Sequence, residues 1–326
     1  METTKKITIS VVMCTYNGEK YIREQLDSIL RQSLPADEII IQDDFSTDKT
    51  YDILIEYQKK HPFIHIYRNT QNSGINSNFF SAIKKAKGDF IAISDQDDIW
   101  EDYKLELQMA NIGNSLLCGG RSTPFSNTGA AIKIDPRIPN YSLLRQMFVG
   151  TMAGHTLFFH KELTSKIPDI TQFSKIRCYD SILIITAGAY NSIIFINQSL
   201  VRFRRHIDAA TYTPPMNSTK NLTNIIRSIR RTWNYNRQLK TIIKERLLIT
   251  SDFLQQIDSK EEVLKDSIRM IKLYTSTSFI DFLKLELFCV KHYKQLFFTS
   301  KINGLIGRLR ALYFPISLSD YYRGLL

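Results

Sequence analysis

The chain has 326 residues, 43% of them apolar and 23% charged, with a formal net charge of +11. This is a globular mix with room for one large α/β domain plus an appendage, or for two domains, and no glycine- or proline-rich tract, repeat or low-complexity run breaks it. Its four cysteines, Cys14, Cys118, Cys178 and Cys289, have no C-x-x-C spacing, which argues against a structural zinc site or a disulfide framework and suits a reducing compartment.

The opening "METTKKITISVVMC" does not read as a signal peptide: its apolar part is short, alternates with polar residues and lacks a small-residue cleavage site. "ITISVVMCTYN" reads as a buried strand that ends in a polar turn. "KYIREQLDSILRQ" follows with apolar residues at helical spacing, at Tyr21, Ile22, Leu26, Ile29 and Leu30. "EIIIQDD" predicts a second buried strand. "STDKTYDILIEYQKKH" predicts a helix that Ser46, Thr47 or Asp48 can cap. "FIHIYRN" is a third strand, "SNFFSAIKKAKG" a helix closed by Gly88, and "DFIAISD" a fourth strand. Strands alternating with helices predict a mostly parallel, doubly wound α/β sheet with ligand at the carboxyl ends of its strands. "TYN", "DDFS" and "SDQDD" all stand at such ends, so three polar clusters converge on one crevice.

No G-x-G-x-x-G follows the first strand and no G-x-x-x-x-G-K-[ST] occurs anywhere, which disfavours a dinucleotide or P-loop site. The crevice is acidic instead, with Asp95, Asp97 and Asp98 in four positions. Carboxylates reach phosphates through a divalent cation, which screens their mutual repulsion and bridges to a pyrophosphate. They also accept hydrogen bonds from ribose hydroxyls or a pyrimidine N–H. Such a cluster suits a metal-bound nucleoside diphosphate better than a bare anion.

"SVVMCTYNGEKYIREQLDSILRQS", "EIIIQDDFSTDKT" and "GDFIAISDQDDIW" resemble the opening and the D-x-D region of the family 2, GT-A-fold (Rossmann-like) glycosyltransferases. The resemblance is strongest to the bacterial rhamnosyltransferase-like branch of cell-surface polysaccharide enzymes. It continues through "MAGHTLFFHKEL", "CYDSILIITAGAY" and "VRFRRHIDAAT", so it covers residues 7–212. It implies an inverting transferase that moves a sugar, rhamnose being one candidate, from a dTDP- or UDP-linked donor to a hydroxyl of a glycan or lipid-linked acceptor, with Mn²⁺ or Mg²⁺ as cofactor. Carried over by motif, Cys14, Thr15 and Tyr16 lie beside the base and ribose. Asp44, with Asp43 next to it, contacts the pyrimidine, and Asp95 sits near the ribose and metal. Asp97 is the main metal ligand, His206 is a second ligand or a diphosphate contact, and Asp180 is the general base. Arg204 and Arg205 suit phosphate oxygens through their guanidinium forks. Two departures bear on acceptor and ligand. Tyr179–Asp180–Ser181 stands where the family often has His–Asp–Trp, and Asp208 and Ala209 stand where asparagines follow the ligand histidine.

Each assignment has a plain alternative. Asp43 and Asp44 also suit capping of the next helix, and Asp180 suits capping of "SILIITAGAY". Asp95, Asp97 and Asp98 suit a solvated loop, with Asp98 equally a structural residue bonded to backbone. His206 between Arg205 and Ile207 suits a plain surface position. His155 and His160, flanking an apolar strand, read as packing or acceptor-side polar groups. Two rival functions stand beside the transferase: a sugar nucleotidyltransferase, which needs a glycine-rich basic loop after the first strand that "TYNGEKYIREQ" does not supply, and a non-catalytic nucleotide-sugar-binding or interaction protein.

The charge is uneven. Residues 1–215 hold 24 Lys+Arg and 23 Asp+Glu; residues 216–326 hold 19 and 9. We therefore expect two regions, a 1–215 transferase domain and a 216–326 basic, amphipathic, mostly helical C-terminal region. The latter either packs on the core or lies on an anionic bilayer. No run of about 18 apolar residues predicts a membrane-spanning helix, so the sequons at Asn217 and Asn221 carry no weight. A cytoplasmic protein, or one peripheral on the inner face of the plasma membrane, is expected. Nucleic acid is an improbable partner because the basic region has no recognised reading motif.

Overall fold

The structure is a computed structural model that describes residues 6–127, 132, 137–205, 222–297 and 304–322, with side chains of the helix opening at 222 described from residue 230. Strands β1 (Ile9–Thr15), β2 (Glu38–Asp43), β3 (Ile64–Arg68) and β4 (Phe90–Ser94) alternate with helices α1 (Ile22–Leu30), α2 (Thr50–Lys60) and α3 (Ile75–Lys85). The β-branched runs of β1, β2 and β4 are buried because helices cover both faces of the sheet. Ile22, Leu26 and Ile29 of α1 face one side; Phe79, Ala82 and Ile83 of α3 face the other.

Local chemistry differs from the sequence reading at two helix ends. Helix α3 stops at Lys85, with Ala86 already extended, so Gly88 does not close it. A β-carbon on Gly88 would lie 2.6 Å from Ser10 N, so glycine is needed there to let the loop meet β1. Gly88 N then donates to Ser10 Oγ at 2.7 Å. At the start of α2 the capping residue is Lys49, which makes no side-chain cap; Asp48 serves the first turn by accepting from Thr50 N at 2.9 Å.

Beyond β4 come β5 (Ile99–Trp100), α4 (Lys104–Ile112), β6 (Leu117–Phe125), α5 (Leu143–Gln146), β7 (Phe158–His160), α6 (Tyr179–Ala189) and β8 (Ile193–Arg204). The eight strands form one sheet in the order β3-β2-β1-β4-β7-β6-β8-β5. The first four are mutually parallel, and β7 lies antiparallel between β4 and β6. Strand β8 runs parallel to β6, and β5 antiparallel to β8. The result is the expected doubly wound α/β sheet, with one short strand reversed in its middle.

The C-terminal region is helical: α7 (Leu222–Gln255), α8 (Glu262–Thr275), α9 (Phe279–Lys291), α10 (Tyr293–Leu296) and α11 (Gly304–Ser317). Its inner side joins the rest of the chain. Leu239, Ile243 and Leu247 of α7 and Phe288 of α9 share a core with Leu143, Leu144, Ile182 and Ile185. Each such fully buried side chain contributes about 1.5–3 kcal/mol. Polar stitches add to this: Asn140 Nδ2 donates to Lys294 O and Phe297 O, both at 2.7 Å. Among the described residues no helix is long and apolar enough to cross a membrane.

Candidate functional site

Parallel register brings the polar clusters to one edge. Thr15 pairs with Asp43, and Met13 with Ser94, so β1, β2 and β4 end together. Asp43 is fully buried and its oxygens are taken. It accepts from Thr15 Oγ1 at 2.9 Å, Ser46 Oγ at 2.5 Å and Ser46 N at 3.0 Å, and Arg68 Nε lies 3.4 Å away. Asp44 is held by the loop before α3, accepting from Asn69 Nδ2 at 2.6 Å, Ser73 N at 2.7 Å and Gly74 N at 3.0 Å. Neither carboxylate caps α2. Burial, with Asp95 and Asp44 near, pushes the Cys14 thiol well above its usual range, so it stays neutral. Tyr16 is exposed, and its backbone makes a reciprocal pair with the Gln96 side chain: Tyr16 N donates to Oε1 at 2.8 Å, and Nε2 donates to Tyr16 O at 3.0 Å. Exposed Phe45 stands at φ +66°, in the left-handed region that a bulky side chain seldom adopts. The Arg68 guanidinium lies 5.6 Å from its ring and 4.4 Å from that of Tyr51.

The turn after β4 carries the acids. Asp95 and Asp97 are partly exposed, whereas Asp98 is fully buried. Asp98 Oδ1 accepts from Arg204 N at 3.0 Å, so it is bonded to backbone, as one of its two readings had it. Its other oxygen, Oδ2, faces His155 Nδ1 at 3.3 Å, and that nitrogen is also 3.5 Å from Asp95 Oδ2. Asp95, Asp98 and His155 form the one group among the described residues whose ligand atoms could hold a metal ion, all within 4.8 Å of one another. Two observations test the fit of a hard divalent cation. Asp98 Oδ2 and His155 Nε2 are buried without a well-formed hydrogen bond, and a set of two oxygens and one imidazole nitrogen suits such an ion. Burial, reinforced by Asp95 and Asp97, raises the Asp98 carboxyl to about 7 despite His155. For His155 burial pulls downward, but Asp98 and Asp95 outweigh it and the imidazole ends above its ordinary value.

Arg204 is buried and turned into the protein. Its Nη2 donates to Glu24 at 2.5 Å and its Nε to Asp97 O at 2.9 Å, and its plane lies 4.5 Å from the Tyr21 ring and 4.6 Å from that of Phe125. It grips the acidic turn from behind. Arg205 N donates to Phe125 O at 2.8 Å, and its guanidinium lies 5.8 Å from the Phe203 ring. His206 lies outside the described residues, so the expected Asp97–His206 ligand pair is described only at Asp97.

Asp180 stands in the first turn of α6. That helix has no side-chain cap of its own at Cys178. Instead Asn76, in the first turn of α3, accepts from Tyr179 N at 2.7 Å and donates to Ser174 O and Arg177 O, both at 2.9 Å. Tyr179 stacks on Phe79 with centroids 3.7 Å apart. Asp180 Oδ1 accepts from Ser181 N at 2.7 Å; burial first, and Asp95 next among the raising influences, lift its carboxyl above the ordinary range. The turn carrying His155 meets this helix directly. A β-carbon on Gly154 would lie 2.7 Å from Tyr179 Oη and 3.1 Å from Asp180 Cβ. The acid cluster and Asp180 are therefore separated by one glycine-tight contact.

Sequence reasoning missed two groups. His155 was legible only as a polar residue beside a strand, because nothing in its spacing relates it to Asp98. Lys104 carried no signal at all: it is fully buried, its Nζ has no hydrogen-bond partner and lies 3.6 Å from the Trp100 ring centroid, and burial lowers it to about 7. A cavity of 720 Å³ among Asn140, Asn191, Glu262, Asp266 and His292 is lined by none of the acid cluster's residues and not by Asp180. The convergence of titratable groups, not cavity volume, locates the chemistry.

Residues 10–166 match the family described as glycosyl transferase family 2. The chain is 29% identical over 265 residues to TuaG of Bacillus subtilis, named as a teichuronic acid biosynthesis glycosyltransferase; the match spans 75% of this chain and 100% of that one. Among solved structures, S. aureus TarS 1-349 in complex with UDP-GlcNAc superposes with a TM-score of 0.57 at 16% identity, over 98% of this chain and 92% of that one. The mannosyltransferase PcManGT from Pyrobaculum calidifontis, in complex with GDP-Man and Mn²⁺, gives 0.53 at 17% identity, over 98% and 85%. At these identities the structural likeness is one of fold, and that fold is GT-A.

Proposed function

The chain belongs to the family 2 glycosyltransferases, and from that premise we propose that it transfers a hexose from a nucleoside diphosphate to a hydroxyl of a cell-surface polysaccharide precursor, with inversion at the anomeric carbon. The observation that carries this reading is the meeting of the Asp95–Asp98–His155 cluster with Asp180 across Gly154. The donor's base and ribose fit the edge formed by Cys14, Thr15, Tyr16 and Asp44, where three hydrogen bonds fix the Asp44 carboxylate as an acceptor and the Tyr16 and Phe45 rings are exposed. Asp95, Asp98 and His155 are the described residues that would hold a divalent cation, with Asp97 on the same turn and His206 as the further ligands the family's pattern implies. Bound there, the cation supplies Lewis-acid stabilisation of the departing diphosphate.

The protein's own part is proton transfer and positioning. The acceptor hydroxyl holds its proton far above neutral pH, so a positioned base must take it during attack. Asp180 has that place, and its raised pKa makes it a stronger base than an ordinary aspartate. Arg204 holds the acidic turn in shape through Asp97 O and Asp98 Oδ1. A single displacement by the acceptor oxygen, opposite the leaving diphosphate, inverts the sugar. Supplying a panel of UDP-, dTDP- and GDP-sugars with Mn²⁺ and following nucleoside diphosphate release, with NMR assignment of the product anomer, tests the reading. No release from any donor, or a product of retained configuration, overturns it.

A further inference from the structure

We propose that the outer face of α9 and α11 is a docking surface for an anionic phospholipid bilayer. The two helices pack against one another and each buries one side. Helix α9 turns Leu285, Phe288 and Cys289 inward, and α11 turns Gly307, Ala311, Phe314 and Pro315 inward. Their opposite sides are not polar, as those of a solvated surface helix would be. On α9, Phe279, Ile280, Leu283 and Leu287 are exposed, Phe279 by 73% and Leu287 by 69%. On α11, Leu305, Ile306, Leu309 and Leu312 are exposed, Leu305 by 72% and Leu309 by 57%. At helical spacing these form one outward apolar stripe per helix. A patch of this kind on a soluble domain marks an interaction surface.

Charge selects the occupant. On α11, Arg308 and Arg310, both exposed, stand one residue to either side of Leu309, so they flank the stripe on both edges at about 100° from its centre. On α9, exposed Lys284 and Lys291 both stand on one edge of the stripe, beside Ile280 and Leu287, and partly exposed Glu286 stands on the other. Long basic side chains beside an apolar stripe can lie along it with their charges at headgroup level while the leucines enter the acyl boundary. Residues 279–326 hold seven Lys+Arg and three Asp+Glu, the sign that an anionic leaflet attracts. A second copy of the chain is disfavoured by the same arithmetic, because a two-fold contact through this face would bring its basic borders against each other. The proposal is independent of the transfer reaction, and its test needs no turnover.

Co-sedimentation of the full chain with vesicles checks it, using phosphatidylcholine alone and phosphatidylcholine with about one quarter phosphatidylglycerol. The expected result is partition onto the anionic vesicles only, reduced at least tenfold by the double substitution Leu287→Glu, Leu309→Glu. These positions are exposed, so an unchanged circular-dichroism melt is expected alongside. A second variant, Lys284→Gln, Lys291→Gln, Arg308→Gln, Arg310→Gln, leaves the apolar stripes intact and is expected to lose the preference for anionic lipid. The idea is overturned if the parent protein stays in the supernatant, if both variants sediment as the parent does, or if light scattering shows a parent dimer that the Glu variant converts to monomer without any vesicle binding.

Discussion

Gly154 and Asp180 touch so closely that there is no room for a side chain between them: a β-carbon at 154 would come within 3.3 Å of Asp180 Oδ2 and 2.7 Å of Tyr179 Oη. Tyr179 cannot yield easily, being buried and stacked on Phe79. Gly154→Ala is expected to displace the His155 turn or the start of α6. A shift near 1 Å between reacting groups costs about 10²-fold in rate, so transfer should fall by about that factor while the fold survives. Turnover and thermal melting on the same preparation check this; a normal rate would mean that the contact does not align the site.

Asp180→Asn keeps the size of the side chain and its acceptance from Ser181 N but cannot take a proton. The expected loss is about 10²–10⁴-fold in turnover, with donor binding by thermal shift unchanged. Because burial raises the Asp180 carboxyl, the acidic limb of the pH–rate profile should lie above the ordinary carboxylate range. Protonation as pH falls through that raised value removes the base, so activity is lost on the low side. A limb at the position of an exposed aspartate would argue against the assignment.

Metal affinity should depend on pH with a definite sign. Burial raises the Asp98 carboxyl, and Asp98 and Asp95 raise the His155 imidazole, while a cation needs both groups deprotonated. Binding therefore releases protons wherever these groups hold them, and affinity for Mn²⁺ should weaken as pH falls, by up to about tenfold per unit for each proton released. Calorimetric titration at several pH values reads this directly. Chelation by EDTA should abolish transfer, and Asp97→Asn and Asp98→Asn, made separately, show which carboxylate dominates.

Lys104 is a buried amine with no hydrogen-bond partner, set against the Trp100 ring. Unfolded it titrates near 10.5; folded, burial brings it to about 7. Between those values the unfolded chain holds the extra proton, so this residue's contribution to stability rises with pH across the window and is at its worst below pH 7. Lys104→Met should raise the urea midpoint at pH 6–7, by the order of a few kcal/mol in stability, with the gain shrinking as pH climbs toward 10.5. A gain independent of pH would assign the effect to packing alone.

Asn76→Ala removes one acceptor and two donors that hold the start of α6. Leaving these partly buried backbone groups unpaired should cost about 1–3 kcal/mol. Asn76→Asp keeps the bond from Tyr179 N but loses both donors, so a smaller part of the stability should return. Denaturant titration of the three proteins orders them.

The half of the molecule built from local pattern was readable in the residues. Buried β-branched runs at β1, β2 and β4 and helical spacing in α1 announce a parallel sheet, and the polar ends of those strands announce a crevice. What escaped depends on long-range pairing. Strand β6 carries Gly119, Gly120 and Pro124, residues that normally argue against a strand, and it forms because β7 and β8 flank it. His155 reaches Asp98 only because β7 is inserted beside β4. Arg204 reads as a phosphate fork in sequence, yet its guanidinium lies close to two aromatic rings and is paired with Glu24, an environment that no local window contains.

The reversed strand β7 has a mechanical consequence. It hydrogen-bonds to β4 on one side and β6 on the other, so it acts as a keystone between the half of the sheet carrying Asp44 and Asp95 and the half leading to Asp180. A continuous ladder of backbone bonds is stiff against bending in its own plane, so the two halves of the sheet are held in register. Under the proposed reaction, the alignment of Asp95 with Asp180 is inherited from folding rather than assembled at each turnover.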